Sequence, residues 1–320
     1  MVNEEASILR STLVRLLRDS PSPHSGEELG VRLGISRVAV HKHIKRLKEH
    51  GYQVESGPSG YRLNRLDTPS LSTWDFEPDE NIRVSEIIDS TMNEAHRLAR
   101  RHPDEDFTVA AISQTSGRGR GNRHWESPEG GLWVTRWIHP GGSSLRIQLY
   151  VMAAAYVLAE LLRNRWNLDA MVKWPNDVLV NNRKIAGMLG EAEVAGDRIK
   201  SLALGLGMNV NNQSAPGRIS LKDLLGHPVD RKPLLRDWIS NLDEFLVSSA
   251  FPGDGEPLWF TSVMSDIGAS VGMETTHGPI VGIIAGVDEF GRIRLETKNG
   301  PGRLIEAGDM IKQTRSSYAG

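Results

Sequence analysis

Cysteine is absent from this 320-residue chain. Disulfides, thiolate nucleophiles and cysteine-based zinc sites are therefore excluded. Long hydrophobic runs are also missing from the sequence, because polar residues interrupt the apolar stretches before they reach membrane-spanning length. The acidic start MVNEEASILR lacks the basic and then apolar segments of a signal peptide. We therefore expect a cytoplasmic protein without a membrane partner.

The usual nucleotide-binding loops are missing as well. No Gly-x4-Gly-Lys-Ser/Thr sequence occurs, and Gly205-Leu-Gly207 lacks the third glycine of a dinucleotide fingerprint. What is present is ordinary for a soluble globular protein: 39% hydrophobic residues, 24% charged residues and a net charge of -2. The length is sufficient for two or three domains. A nucleotide, if one binds, must use another kind of site.

The N-terminal region predicts three helices followed by a hairpin. Apolar periodicity marks the first helix over residues 6–18, and Ser25 with Glu28 gives the capping signal of the second. The third helix begins at Ser36. Its inner face consists of Val40, Ile44 and Leu47. Residues 52–63 alternate apolar and polar side chains around a Ser-Gly-Pro-Ser-Gly turn, which predicts a hairpin or wing.

The third helix carries an unbalanced positive charge, because five Lys/Arg residues and no acid lie between Ser36 and Lys48. Together with the hairpin, this pattern predicts a winged helix-turn-helix DNA-binding domain over residues 1–66, followed by a linker over residues 67–80. The candidate DNA-binding residues are Ser36, Arg37, Lys42, Lys45 and Arg46. The alternative is a helical protein-interaction module whose basic residues form a solvated face.

A loop of alternating glycine and arginine lies near the middle of the chain, in the segment SQTSGRGRGNRHW (residues 113–125). Glycine lets the backbone adopt unusual dihedrals while guanidinium groups project from it. Buried-strand patterns over residues 107–113 and 132–138 flank the loop and anchor both of its ends. We expect the loop to wrap an anion or a nucleotide; the alternative is a plain surface loop.

The remaining patterns predict an α+β multidomain protein, with a mixed or antiparallel sheet in a central domain over residues 81–266. The other predicted strands of that domain cover residues 82–88, 178–180, 184–189 and 201–210, with a hairpin turn at Asn181-Asn182. Its predicted helices cover residues 92–102, 145–166, a segment near Leu221, and 234–247. Over residues 267–320, short strands at 280–284, 293–295 and 303–305 predict a small SH3-like β-barrel.

Charged residues accompany the arginine loop. Lys173 and Lys184 lie at either end of the predicted hairpin, where both can face one site and stabilise a phosphate whose charge grows during displacement. Asp177 fits a magnesium ligand, an amine-orienting group or a simple Asx turn. Asn209 fits adenine recognition or a strand end.

Neutral hydrogen-bonding residues suit an uncharged polar ligand head, namely Ser90, Thr91 and Gln114. Helix caps and turns also account for the first two. His124 has no Asp, Glu or His partner at ligand spacing, so we expect no protein-bound metal site. We expect three tryptophans to lie in the core or in a pocket wall, namely Trp125, Trp133 and Trp137.

Six motifs follow in the order and spacing of biotin protein ligases: Asp89-Ser-Thr91, Gln114-Thr-Ser-Gly-Arg-Gly-Arg120, Trp125-x-Ser-Pro128, Lys173-Trp-Pro-Asn-Asp177, Arg183-Lys-Ile-Ala-Gly187 and Gly205-x-Gly-x-Asn209. The chain resembles this family over nearly its whole length. The predicted winged helix and C-terminal barrel are similar to those of its bifunctional bacterial members, which also repress the biotin operon. The resemblance implies a central ligase domain that is class II synthetase-like.

The resemblance also implies a reaction in two steps. The biotin carboxylate attacks the α-phosphate of Mg-ATP to give biotinyl-5′-AMP and pyrophosphate, and a carrier lysine then attacks the mixed anhydride. The implied small molecules are ATP, Mg²⁺ and biotin. The implied partners are the biotin carboxyl carrier protein of acetyl-CoA carboxylase or a similar carboxylase, operator DNA of biotin genes, and a second copy of the chain in a homodimer that forms on adenylate binding.

The family's residue roles fall on matching positions of this sequence. Those implied at biotin are Ser90, Thr91, Gln114, Gly117, Arg118, Lys184 and Gly187. Those implied at the nucleotide are Arg118, Arg120, Arg123, Lys173, Asn176 and Asn209. Those implied in catalysis are Lys184, Lys173, Arg118 and Asp177. The loop arginines would close over the adenylate and exclude water from it.

Two positions depart from the family pattern. Asn122 stands where glycine is usual, and Met92 separates Thr91 from Asn93. Asparagine tolerates left-handed backbone, so we expect the loop to keep its conformation with an altered closure rate. Two other functions remain: a biotin-sensing regulator without ligase activity, which the lysines and arginines disfavour, and a lipoate-type ligase, which Lys-Trp-Pro-Asn-Asp disfavours.

Overall fold

The N-terminal unit contains three helices and a hairpin. A computed structural model describes residues 4–20, 22–49, 52–64, 81–251, 255–297, 301–306 and 310–315, so the predicted linker over residues 67–80 lies outside the described residues. The elements are α1 (Glu4–Asp19), α2 (Gly26–Leu33), α3 (Arg37–Glu49), β1 (Val54–Gly57) and β2 (Gly60–Leu63). Ser25 caps α2 by accepting a hydrogen bond from the Glu28 backbone N–H at 3.0 Å, and Gly34 ends it at φ 65°. The predicted helix-turn-helix with a hairpin is confirmed.

Apolar packing holds this unit together. The predicted inner face of α3 is buried, and it packs with Leu13 and Leu17 of α1 and Leu29 of α2 in a core of its own. β1 and β2 pair antiparallel, with Val54 opposite Leu63. The unit therefore buries an apolar cluster separate from that of the rest of the chain.

The central unit is built on a seven-stranded mixed sheet of order β3-β4-β5-β9-β8-β7-β6. Only the β3–β4 pair is parallel among the described strands of this sheet. The strands are β3 (Ile82–Ile88), β4 (Phe107–Gln114), β5 (Leu132–Ile138), β6 (Ala170–Lys173), β7 (Asp177–Val180), β8 (Arg183–Ala195) and β9 (Arg198–Met208). Asn181 and Asn182 turn between β7 and β8 with φ of 51° and 57°, which confirms the predicted hairpin.

The two faces of this sheet bury different helices. One face packs against α5 (Ile147–Trp166), which α7 (Arg231–Val247) covers in turn. The other face packs against α4 (Thr91–Ala99) through Met92 and Ala95. Because side chains alternate along a strand, Ala110 of β4 joins the α5 cluster while Phe107 and Val109 join the α4 cluster. The functional residues described below share the α4 face.

The helix α5 confirms the predicted helix over residues 145–166, but its segment is more apolar than expected. Residues 144–166 meet the length and hydropathy of a membrane-spanning segment, contrary to the expectation that no apolar run approaches that length. Of the 18-residue apolar window in this stretch, 67% is buried inside the protein, as in the core helix of a soluble protein. Its small residues, Ala153, Ala154 and Ala155, are fully buried and permit close packing on the sheet.

The C-terminal unit is a five-stranded antiparallel sheet of order β13-β12-β11-β10-β14. Its strands are β10 (Ser270–Thr275), β11 (Gly278–Val287), β12 (Ile293–Glu296), β13 (Arg303–Ile305) and β14 (Met310–Arg315), and the short helices α6 (Leu221–Leu225) and α8 (Leu258–Thr261) precede it. The sequence interpretation identified β11, β12 and β13 only. Closure of the sheet into a barrel stays a prediction, as do the domain boundaries.

Candidate active site

A cavity of about 320 Å³ opens on the α4 face of the central sheet. Most residues predicted for the site line it, and the remaining two are Gly117 and Asn209. The predicted residues in its wall are Ser90, Thr91, Gln114, Arg118, Arg120, Arg123, Lys173, Asn176, Asp177, Lys184 and Gly187. Residues from β4, β6, β7, β8 and the arginine-glycine loop thus converge from positions far apart in the chain.

Glycines on β8 and β9 create the space of the cavity. A Cβ on Gly207 would lie 2.8 Å from Nε1 of Trp125, and a Cβ on Gly187 would lie 3.2 Å from Nζ of Lys184. Gly205, which pairs with Leu189, faces the same side. Any larger residue at these strand positions would fill the site or displace Trp125 and Lys184.

One end of the cavity is neutral and already hydrogen-bonded. Ser90 caps α4 by accepting from the Met92 backbone N–H at 3.2 Å. The Gln114 side chain accepts from the Thr91 backbone N–H at 2.7 Å and donates to Oγ of Ser127 at 2.7 Å. The hydroxyl of Thr135, which the sequence interpretation missed, donates to Oγ1 of Thr91 at 2.9 Å. We call these polar groups the neutral end.

Gly117 supports the neutral end from behind. A Cβ at this position would collide with the backbone carbonyl of Trp125 and lie 2.5 Å from Oγ of Ser127. The Gly117 carbonyl accepts from the Trp125 backbone N–H at 2.9 Å. Gly117 therefore shapes the turn that carries the loop, although it is outside the cavity wall.

The other end is cationic. Nζ of Lys184 contacts Oδ1 of Asp177 at 2.6 Å. Burial lowers the pKa of Lys184 below the ordinary lysine value, and the nearby carboxylate of Asp177 opposes that shift. Lys173, at the end of β6, lies opposite Asp177 in the β6–β7 pair. We call Lys173, Lys184, Arg120 and Arg123 the cationic end.

The arginine-glycine loop folds back over this cavity. Nη1 of Arg120 lies 3.4 Å from Oδ1 of Asn176, and burial lowers the pKa of Arg120. Arg118 takes a different course, because its guanidinium contacts Glu191 on β8 at 2.5 Å and Asn93 on α4 at 3.2 Å. Gly121, at φ 60°, is the left-handed residue in the short turn over Arg120–Asn122.

Trp125 lines the cavity and its ring contacts two cations. Nζ of Lys184 and the guanidinium carbon of Arg218 each lie 4.8 Å from the centre of its ring. The expectation that Trp125 would be core or pocket wall is confirmed. Arg218 and Glu191 escaped the sequence interpretation, because their places at the site depend on chain reversals that no local pattern records.

Asn209 lies behind the cavity wall. Its Oδ1 accepts from Nδ2 of Asn212 at 2.9 Å, and its own buried Nδ2 has no partner among the described residues. A buried amide donor without a partner is costly unless a ligand satisfies it. Met92, one of the departures from the family pattern, lines the cavity beside Thr91.

The structure also tests the predicted DNA-binding face and the acidic groups. All five candidate DNA-binding residues on and before α3 are exposed. The described residues contain no group of three or more His, Asp or Glu that could hold a metal ion. Within the cavity wall, Asp177 supplies a carboxylate, and it is ion-paired with Lys184.

Comparison with known families and proteins assigns each unit. Residues 84–209 match the Biotin/lipoate A/B protein ligase family, residues 9–62 match an HTH domain, and residues 266–313 match the Biotin protein ligase C terminal domain.

The relatives include proteins similar along almost their whole length. A protein of Bacillus spizizenii called "Bifunctional ligase/repressor BirA" is 30% identical, over 94% of this chain and 98% of that protein. One of the same name from Escherichia coli is 30% identical, over 85% of this chain and 88% of that protein. The solved biotin protein ligase of Aquifex aeolicus, in complex with biotin and ATP, has a TM-score of 0.61 and 26% identity, over 74% of this chain and all of that one. With a helix-turn-helix, a ligase domain and the family's C-terminal domain in the same order, this chain belongs to the family of bifunctional biotin protein ligases and repressors.

Proposed function

We propose that this cavity joins biotin to AMP and that the chain then transfers biotin to a lysine of a carrier protein. The observation that carries the proposal is the juxtaposition of the two ends of the cavity. The neutral end offers hydrogen bonds to an uncharged ring system, and the cationic end offers positive charge to a carboxylate and phosphates. Biotin has an uncharged ring system at one end and a carboxylate at the other, so biotin beside ATP matches the two ends of the cavity.

In the first step, a biotin carboxylate oxygen forms a bond to the α-phosphorus of ATP, and the bond from that phosphorus to pyrophosphate breaks. Negative charge accumulates on the phosphoryl oxygens during this displacement. Lys184 lies at the cationic end with its ammonium group partly desolvated, where an electrostatic interaction is stronger than in water. Lys184 therefore stabilises the transition state, and Asp177 holds its ammonium group in place.

In the second step, the carrier lysine attacks the acyl carbon of biotinyl-AMP. A carbon–nitrogen bond forms, AMP leaves with the electron pair of the anhydride bond, and the amine loses a proton. Retention of the adenylate between the steps depends on excluding water from the anhydride. The arginine-glycine loop supplies this cover through Arg118, Arg120 and Arg123.

We assign the residue roles by position in the cavity, except for Gly117 and Asn209, which lie outside its wall. Ser90, Thr91, Gln114, Gly117 and Gly187 shape and contact the biotin end. Lys173, Arg120, Arg123 and Asn176 bind the phosphates. The adenine role of Asn209 rests on its side-chain amide, which has no partner among the described residues, and not on a place in the cavity wall.

Magnesium enters as the complex with ATP. Asp177 carries the carboxylate in the cavity wall and fits one oxygen ligand of a magnesium ion, since Mg²⁺ in such sites uses few protein carboxylates and keeps the substrate phosphates. The ion, when bound, neutralises phosphate charge.

The N-terminal unit provides the second activity. The exposed basic residues Arg37, Lys42, Lys45 and Arg46, with Ser36 at the start of α3, suit the phosphates and base edges of operator DNA of biotin genes. One such module binds weakly, so specific repression requires two modules on a palindromic site and therefore a homodimer that the adenylate favours. The partners are this operator and the carrier domain of acetyl-CoA carboxylase or a similar carboxylase, in the cytoplasm.

The test is pyrophosphate exchange into ATP, measured with biotin and with lipoate in parallel. Biotin-dependent exchange, followed by labelling of a carrier domain, is the expected result. Exchange with lipoate alone would identify a lipoate-type ligase, and absence of exchange with both, together with biotin binding, would identify a biotin sensor without ligase activity.

A further inference from the structure

Arg118 of the arginine-glycine loop contacts a carboxylate and an amide, those of Glu191 and Asn93. Its Nη2 lies 2.5 Å from Oε1 of Glu191, and its Nη1 lies 3.3 Å from Oε2 of the same carboxylate and 3.2 Å from Oδ1 of Asn93. The guanidinium therefore bridges β8 and α4, both of which contribute residues to the cavity wall. Two nitrogens on two carboxylate oxygens form the fork geometry that fixes both distance and orientation.

Glu191 is itself held in position for this contact. Its Oε2 lies 3.1 Å from Nε2 of His96, and His96 packs edge-on against Trp137 at 5.1 Å between ring centres. The hydrogen bond from His96 and the charge of Arg118 keep the pKa of Glu191 below its usual range. The carboxylate therefore stays ionised, and its two oxygens are both engaged.

The position of the bridge identifies the end of the cavity that it covers. Gly187, Leu189 and Glu191 alternate along β8 and so point to the same face of the sheet, and the first two line the cavity. Asn93 follows Thr91 by two residues on α4. The bridge thus lies beside the neutral end, on the helix that carries Thr91.

We propose that Glu191 is a positioning residue. It holds Arg118, and with it the arginine-glycine loop, over the neutral end of the cavity, where we place biotin. The carboxylate touches neither biotin nor phosphate. It sets how long biotin and biotinyl-AMP remain bound, and the chemistry of adenylation proceeds at the cationic end without it. This inference rests on the proposed function, because the ligand that it retains is the one proposed there.

The expected effect is moderate because the pair is partly exposed, with 42% of the Arg118 side chain and 27% of the Glu191 side chain accessible. An exposed ion pair alone contributes little, whereas a charged, bidentate hydrogen bond contributes more. Glu191→Gln keeps the shape of the side chain and removes its charge. We expect this variant to release biotin and biotinyl-AMP about tenfold faster, as loss of one charge-assisted bond would predict.

The experiment measures release of radiolabelled biotin from the full chain, and of preformed biotinyl-AMP, for the parent, Glu191→Gln, Arg118→Ala and the double variant. Glu193→Gln is the matched control, two residues along the same strand, and should release both ligands at the parental rate. The distinguishing result is the double variant: Glu191→Gln should add nothing once Arg118 is gone, because the carboxylate acts through that arginine. Glu191→Asp, which restores the charge, should recover part of the retention.

Full additivity of the two substitutions would overturn the inference, as would parental release rates in Glu191→Gln. A fall in unfolding temperature with additive loss would indicate a purely structural role and overturn it too. Failure of the proposed function looks different: the parent chain would bind biotin but form no biotinyl-AMP, and the biotin-release arm would still decide the role of Glu191. A parent that binds no biotin would overturn both.

Discussion

The two ends of the cavity are prepared for their ligands in different ways. At the neutral end, Gln114, Thr91, Ser127 and Thr135 already bond to one another, so shape and direction exist before a ligand arrives. At the cationic end, burial lowers the pKa of both Lys184 and Arg120, which means that their charges are held at a cost. Under the proposed function, the neutral end would provide selection, and the cationic end would provide stabilisation that is realised only when negative charge appears.

This contrast predicts that substitutions at the two ends will change different kinetic parameters, the rate of the chemical step at one end and substrate binding at the other. Loss of a cationic side chain should act on the chemical step, since the interaction strengthens in the transition state. Loss of a neutral contact should act on substrate binding. A cavity that behaved uniformly would contradict the division.

The largest effect should come from Lys184→Ala. We expect adenylate formation to slow about a hundredfold or more, because the substitution removes charge from the displaced phosphoryl group. Stopped-flow measurement of pyrophosphate release reports this step. Lys200→Ala, at an exposed lysine on β9, is the control and should match the parent. Unchanged release in Lys184→Ala would remove this lysine from the site.

Gln114→Leu should act on the opposite end. The substitution leaves the Thr91 backbone N–H without its acceptor and loosens the preformed contacts. At a cost of about 2 kcal/mol for a part-buried donor left without its acceptor, KM for biotin should rise about thirtyfold while KM for ATP stays within a factor of about two. The exposed Gln53→Leu serves as control. An equal rise in both KM values would show that the ends are not independent.

Occupation of both ends should matter for DNA binding. We expect biotin with ATP to tighten binding to the biotin-gene promoter about tenfold at fixed salt, which corresponds to about 1.4 kcal/mol of coupling, and biotin alone to have a smaller effect. Fluorescence anisotropy on promoter DNA measures the shift. Deleting residues 1–66 should abolish DNA binding and spare ligation. Equal affinity with and without the adenylate would remove repression from the proposed function.

The smallest effect is in the pH profile. Because the pKa of Lys184 is lowered from 10.5, its charge is complete below the shifted pKa and is lost as pH rises through it. The rate of adenylation should therefore begin to fall at a lower alkaline pH than it would with a lysine of ordinary pKa. Lys184→Arg should move this fall to higher pH, because a guanidinium stays protonated. An alkaline limb at the same pH in parent and variant would assign the titration to another group.

Sequence patterns anticipated the parts of this molecule that depend on neighbours along the chain. The helix caps at Ser25 and Ser90, the hairpin turn at Asn181-Asn182 and the inner face of α3 all follow from local periodicity and backbone preference. Two strands of the C-terminal sheet, β10 and β14, escaped notice, because they pair with each other across a long stretch of chain, with Thr275 opposite Met310 and Val271 opposite Arg315.

Contacts between distant segments could not be predicted from those patterns. The pairing of Arg118 with Glu191 joins residues 73 positions apart, and the placement of Arg218 on Trp125 depends on where the loop after β9 returns to the sheet. The expectation for Asn122, which stands in the loop where the family usually has glycine, is also limited by what a local pattern can show. The left-handed residue is its neighbour Gly121, so the tolerance expected of asparagine for that backbone is not the property on which this turn depends.

The indole of Trp174 donates to the carbonyl of Gly291 at 3.0 Å, across the boundary between the central and C-terminal units. Trp174 is 1% exposed, and it stands between Lys173 and the Pro-Asn-Asp segment that forms the cavity wall. A deletion of the C-terminal sheet would leave a buried N–H without an acceptor at the wall of the cavity. The units of this chain therefore differ in how independent they are. The DNA-binding unit has its own core and is separable in principle. A ligase truncated after residue 266 would lack a contact of the cavity wall and would be an incomplete enzyme rather than a minimal one.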